Sequence, residues 1–122
     1  MKTILVTGGT GFIGSHTSLV LLEKGYRIIA IDSQINSSSV SLKRVQEILK
    51  IKNITHEKII FEMGDIRNEN FLKSIFLKSL KNETPIDAVI HFAGLKAVGE
   101  SVLEPLKYWD NNVLGSLTLF RV

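Results

Sequence analysis

The sequence predicts an α/β protein, with a parallel sheet flanked by helices on both faces and four βα units in the strand order 3-2-1-4. Three observations carry this. Short β-type apolar runs alternate with helical periodicities, and no hairpin turn signal joins two runs directly. Glycines at positions 8, 11 and 14 fall where the first apolar run gives way to the first helical period. The second apolar run ends on a carboxylate, Asp32. Together they describe a Rossmann-like, doubly wound arrangement with a dinucleotide-binding turn at its start.

The elements follow in order. Residues 2–6 form an apolar strand that runs straight into the glycines. A pyrophosphate needs its charge neutralised, and the first turn of a helix offers N–H groups without intrahelical partners at the positive end of the dipole. Gly8 makes the tight turn out of the strand, Gly11 leaves room for the pyrophosphate, and Gly14 lets the helix pack closely on the sheet. The helix that follows places Ile13, Thr17, Val20 and Leu21 on one face. Residues 27–31 form the second strand. A polar segment, 33–41, precedes a helix with Leu42, Val45, Ile48 and Leu49 as its apolar stripe. Residues 58–63 are the third strand, closed by Gly64. Phe71, Leu72, Ile75, Phe76 and Leu80 repeat at helical spacing, with Asn68 as N-cap. Pro85 stops that helix, and residues 86–92 form a fourth strand ending at Ala93 and Gly94. The last helix starts near Pro105 and carries Leu106, Val113, Leu117 and Phe120 inward. It is still periodic at 119–122 with no glycine or proline stop, so the expectation is a doubly wound fold represented by its first half.

Composition narrows the function classes. With 122 residues, 44% of them hydrophobic and 22% charged, the chain suits one globular core. The net charge of +3 is spread among acidic residues, and its densest group, Lys43, Arg44, Lys50, Lys52 and Lys58, lacks interleaved aromatics, so a solvated face is expected and not a nucleic-acid site. No segment is apolar for long enough to cross a bilayer, and the expected compartment is the cytosol. The absence of cysteine excludes disulfides and thiolate metal sites. His16 and His91 lack ligand-spaced partners and are read as packing or hydrogen-bonding residues, so no metal is expected.

The segment 92–101, Phe-Ala-Gly-Leu-Lys-Ala-Val-Gly-Glu-Ser, followed by Asp110-Asn111-Asn112-Val113, closely resembles the UDP-glucose 4-epimerase family of the extended short-chain dehydrogenases and reductases. The resemblance covers the whole chain. Residues 7–16 are similar to that family's opening loop, Asp32, Ser33, Asn36 and Ser37 to its adenosine-binding segment, and residues 64–67 to its adenine-contacting turn. It implies NAD as cofactor. By position it assigns cofactor contacts to Phe12 and Ile13, to Asp32, Ser33, Gln34, Ile35, Asn36 and Ser37, to Asp65 and Ile66, to Phe92, Ala93, Gly94, Leu95 and Lys96, and to Asn111. Physical chemistry agrees for several of these. Asp32 accepts from ribose hydroxyls and repels a 2′-phosphate, favouring NAD over NADP. Asp65 accepts from the adenine amino group, Lys96 brings a cation to the crevice, and Asn111, a mediocre helix former inside a helix, suits a polar task. Plainer roles compete: Asp32 as a loop cap, Asp65 as a turn residue, Lys96 as a solvated lysine.

In the family, a tyrosine assisted by serine and lysine removes a hydroxyl proton from the sugar while hydride passes to NAD. Those residues lie on the fifth strand and the helix after it. Here Tyr26 and Tyr108 are the only tyrosines, and neither opens a Tyr-x-x-x-Lys pattern. The expectation is therefore the NAD-binding portion of such an enzyme, with no catalytic residue among these 122, the UDP-sugar site elsewhere, and little activity alone. A homo-oligomer is expected through the fourth-strand edge and the last helix. The competing reading is a free-standing half-Rossmann module that binds a nucleotide or a partner chain without catalysis.

Overall fold

Four strands, Thr3–Thr7 (β1), Arg27–Asp32 (β2), Ile59–Met63 (β3) and Ile86–His91 (β4), pair in parallel in the order β3-β2-β1-β4. This is a computed structural model, and it describes residues 1–34, 38, 40–54 and 59–122. Leu5 of β1 sits opposite Ile29 of β2 on one side and Val89 of β4 on the other. The expected fold class and strand order are both borne out. Lys58, expected to open the third strand, lies outside the described residues.

The period of two along the strands divides the core into two layers. Ile4, Val6, Ile28 and Ala30 pack with Leu22 of Phe12–Glu23 (α1) and with Leu42, Val45 and Leu49 of Val40–Ile51 (α2). Leu5, Ile29 and Ile31 point the other way, against Leu72 and Ile75 of Glu69–Lys81 (α3) and Leu119 of Gly115–Arg121 (α6). Asn68 caps α3 as expected, its side-chain oxygen accepting from Phe71 N at 3.0 Å. Ile48 and Leu80, expected inside, are exposed at the margins of their helices.

Two helix faces differ from expectation. In α1 the buried residues are Gly14, Ser15, Ser18 and Leu22, whereas Ile13 is 51% exposed and Val20 is exposed as well. Polar and apolar residues are mixed around the helix, so periodicity does not single out a face. Steric need does: Gly14, packed against the Gly8 carbonyl, and the buried Ser18 put this side of the helix inward. The second difference lies after β4. The chain forms Val98–Leu103 (α4), which sequence periodicity did not suggest, then Pro105–Tyr108 (α5), a π-helical segment Trp109–Leu114, and α6. The inward residues are Asn111, Gly115 and Leu119, and the expected stripe of Leu106, Val113, Leu117 and Phe120 faces outward. The π-helical segment widens the turn and breaks the 3.6 period on which that expectation rested. Gly115 lies against the Ile66 side chain, where a Cβ would come within 2.7 Å of it, so glycine lets this helix settle on the turn after β3.

Candidate cofactor cleft

All four strands end at one crevice of about 200 Å³. It opens at the point where the chain, after β3, crosses to the other side of β1 to form β4, the position at which ligands collect in doubly wound sheets. Gly8, Gly11, Phe12, Ile13, Gly14, Asp32, Ser33, Asp65, Ile66, Phe92, Ala93, Gly94, Leu95, Lys96 and Asn111 line it, joined by Ile31 and Gly64. Gln34 does not line it, and Ile35, Asn36 and Ser37 lie outside the described residues.

The glycine turn has a steric basis. Gly8 has φ +66, a conformation that L side chains rarely adopt, and a Cβ there would stand 2.8 Å from the Ala93 N and Phe92 C atoms. A Cβ at Gly14 would be driven into the Gly8 carbonyl oxygen, so this glycine fits the helix to the preceding turn more than to the sheet itself. Gly11 is the N-cap of α1 and supplies no side-chain cap, so the N–H groups of the first helical turn stay open toward the crevice.

Asp32 holds the neighbouring loop. Its Oδ2 accepts from Thr10 N at 3.1 Å and its Oδ1 from Gln34 N at 2.7 Å, and Gln34 adopts φ 60. A carboxylate has about four lone-pair sites, so bracing the loop leaves capacity for further donors. The cap role and the ligand role are thus compatible in one residue.

Just beyond the end of the neighbouring β3, Arg67 grips the Asp65 carboxylate, and this hydrogen-bonded pairing holds Asp65 below the ordinary carboxylate range despite its partial burial. Asp110 takes a third hydrogen bond from the same guanidinium, and the two carboxylates push the Arg67 pKa upward.

The loop after β4 is fixed by Asn112 and Thr7, to which the sequence analysis gave no role in the site, together with Asn111. Asn112 brackets Leu95, its Oδ1 accepting from Leu95 N at 2.8 Å and its Nδ2 donating to Leu95 O at 2.9 Å. Asn111, 8% exposed, donates from Nδ2 to Asn112 Oδ1 at 3.0 Å. The fully buried Thr7 hydroxyl accepts from Ala93 N at 3.1 Å and pairs with His91 Nδ1 at 2.5 Å, while His91 Nε2 pairs with Ser116 Oγ at 2.8 Å. Ser116 donates to Asn112 O at 2.6 Å. With the Ser116 proton committed to Asn112 O, His91 Nε2 donates to Ser116 Oγ, which gives the Nε2–H tautomer and leaves Nδ1 to accept from Thr7. Burial also pulls the His91 pKa down. His91 therefore acts as a hydrogen-bonding residue, and so does His16, whose Nδ1 lies 2.7 Å from Phe12 O. Two adjacent asparagines inside a helical stretch were the available signal for Asn112. Among the described residues no group of three or more His, Cys, Asp or Glu could hold a metal ion, and no helix is long and apolar enough to cross a membrane.

Known proteins with this arrangement agree with one another. Residues 5–122 match the family described as GDP-mannose 4,6 dehydratase. A UDP-glucose 4-epimerase of Neisseria meningitidis serogroup A is 56% identical over 119 residues, covering 98% of this chain and 32% of that protein. UDP-glucose 4-epimerase 2 of Arabidopsis thaliana is 50% identical over 121 residues, covering 99% and 32%. Among solved structures, the Bifidobacterium longum UDP-glucose 4-epimerase in complex with NAD+ and UDP superposes with a TM-score of 0.82 at 45% identity, over 98% of this chain and 32% of that one. The Stenotrophomonas maltophila enzyme with bound NAD and formylated UDP-arabinopyranose gives 0.83 at 36% identity, over 99% and 33%. The chain thus spans about a third of the length of the relatives it matches. The expected resemblance to UDP-glucose 4-epimerases is borne out along the whole chain. With its glycine turn, its parallel sheet and a family match running from Leu5 to Val122, this chain belongs to the GDP-mannose 4,6 dehydratase family.

Proposed function

We propose that these 122 residues are the NAD-binding portion of a UDP-glucose 4-epimerase, acting in the cytoplasm in galactose metabolism. The observation that carries this reading is the convergence on one crevice of an open helix N-terminus behind Gly8, the Asp32 carboxylate at the end of β2 and Asp65 at the end of β3. That is the donor and acceptor set that a pyrophosphate, a ribose and an adenine require, in that order across the cleft. A bound NAD would supply the hydride acceptor and donor for a sugar carbon. The chain's own residues bind and orient: Phe12 and Ile13 present N–H groups to phosphate, Asp32 takes ribose hydroxyls, Asp65 takes the adenine amino group, and Lys96 and Asn111 lie toward the nicotinamide side.

The family is named for a dehydratase, but the relatives that match nearly the full chain carry the epimerase name, which supports the epimerase reading. UDP-sugar belongs to the complete enzyme. Association of two copies is also part of the proposal, supported by the exposed Val89 on β4 and the outward Leu117 and Phe120 of α6. Titration calorimetry tests the reading. NAD and ADP-ribose should bind with similar affinity, because the adenosine half of the cleft is present, and the chain alone should not convert UDP-galactose to UDP-glucose. The competing reading, a free-standing half-Rossmann module that binds a nucleotide or a partner chain without catalysis, gains if neither NAD nor ADP-ribose binds.

A further inference from the structure

We propose that Arg67 is a positioning residue that sets base specificity: its guanidinium fixes the Asp65 carboxylate at the cleft wall as an acceptor for the adenine amino group, and anchors that turn to the π-helical segment through Asp110. The inference rests on the reading of the cleft as a dinucleotide site.

Three N–H groups of Arg67 reach Asp65. The backbone N–H donates to Oδ1 at 2.8 Å, Nε–H is shared between Oδ1 at 3.1 Å and Oδ2 at 3.0 Å, and Nη2 donates to Oδ2 at 2.6 Å. Against about four lone-pair sites on a carboxylate, three protons leave room for about one more donor. The Nη1 group of the same guanidinium is spent on Asp110 Oδ2, across the junction with the π-helical segment. The turn itself is closed by Asn68 N donating to Asp65 O at 2.9 Å, and the methylene stem of Arg67 rests against Gly115. Asp65 lines the cleft, whereas Arg67 stands behind it.

The ion pairs are exposed enough that their contribution to stability is small, but a bidentate fork fixes direction even where it adds little energy. Arginine also holds the Asp65 pKa down, so the carboxylate stays ionised, hence acceptor-only, to lower pH than it would alone. Such a group accepts from the 6-amino group of adenine and repels the 6-oxo group of hypoxanthine. Arg67 thereby decides which purine the cleft takes without touching it.

Calorimetry with ADP-ribose and with inosine diphosphate ribose, on the 122-residue chain and its Arg67→Ala and Arg67→Lys variants, tests this. The unaltered chain should prefer the adenine ligand by about tenfold, the worth of one hydrogen bond to a charged group. Arg67→Ala should bring the ratio close to one with little change in melting temperature, and its adenine affinity should fall away at a higher pH than in the parent. Arg67→Lys, a point charge without the fork, should recover only part of the ratio. Equal weakening of both ligands at a constant ratio, or no change, would overturn the inference while leaving the dinucleotide reading intact. Failure of the unaltered chain to bind either ligand would overturn both.

Discussion

The β2–β3 flank of the sheet and the β4 flank are made of similar residues but are covered differently. Toward β2 and β3, Leu49 and Leu72 are fully buried beneath α2 and α3 and every apolar residue of β2 is buried, so that exposed apolar strand residues are confined to the edge strand β3, at Ile60 and Met63. Toward β4, Val89 is 41% exposed, Leu106 82% and Phe120 77%, and the helical run from 98 to 121 turns an apolar surface to solvent. Apolar residues at strand and helix spacing therefore form their elements in both places, but only one flank has its partners within these residues. The cleft lies on the seam between the two. Gly8 and Asp32 come from the covered side, and Phe92, Lys96 and Asn111 from the open one.

The largest expected effect separates the flanks by stability. Leu5→Ala removes a wholly buried side chain between β2 and β4 and should cost about 3 kcal/mol in denaturant unfolding, whereas Leu106→Ala should stay within about 0.5 kcal/mol. A cost for Leu106→Ala comparable to that of Leu5→Ala would show the open flank to be covered in solution. Gly14→Val should come next, at about 2 kcal/mol from overpacking against the Gly8 carbonyl, together with loss of nucleotide binding. A folded Gly14→Val chain that still binds ADP-ribose would break the link between the glycine turn and the site.

Smaller still is the effect of pH on the seam. Burial lowers the His91 pKa from its ordinary 6.5, so the unfolded chain binds the proton more readily than the folded one. Stability contributed by the neutral ring is therefore complete above pH 6.5 and is lost as pH falls below it through the folded value. Melting temperatures from pH 7.5 to 5 should fall in the unaltered chain and fall less in His91→Gln. Parallel curves would remove His91 from this account.

What could be read from the sequence followed the same division. The α3 cap at Asn68 follows from local spacing, whereas strand order and the clustering of Gly8, Asp32 and Asp65 follow from the strand–helix alternation and the glycine turn, which together specify a doubly wound sheet whose strands all end at one crevice. The inward face of α1 was not legible, because a helix with polar and apolar residues mixed around it orients by close packing at Gly14 and Ser18 and not by an apolar stripe. The outward turn of Leu106 and Phe120 was hidden by a π-helical segment that no periodicity announces. The bracket of Asn112 on Leu95 joins residues 17 apart in sequence, a pairing visible only once the loop and helix are side by side.

If the seam between the two flanks holds a dinucleotide, Asp32 at the end of β2 is the residue that chooses between NAD and NADP. Calorimetric titration of both cofactors into the unaltered chain and into Asp32→Ala tests it most directly. The unaltered chain should bind NAD at least about tenfold more tightly than NADP, because Asp32 repels the 2′-phosphate, and Asp32→Ala should narrow that difference. Equal affinity for the two cofactors in the unaltered chain, or an unchanged ratio after the substitution, would contradict it.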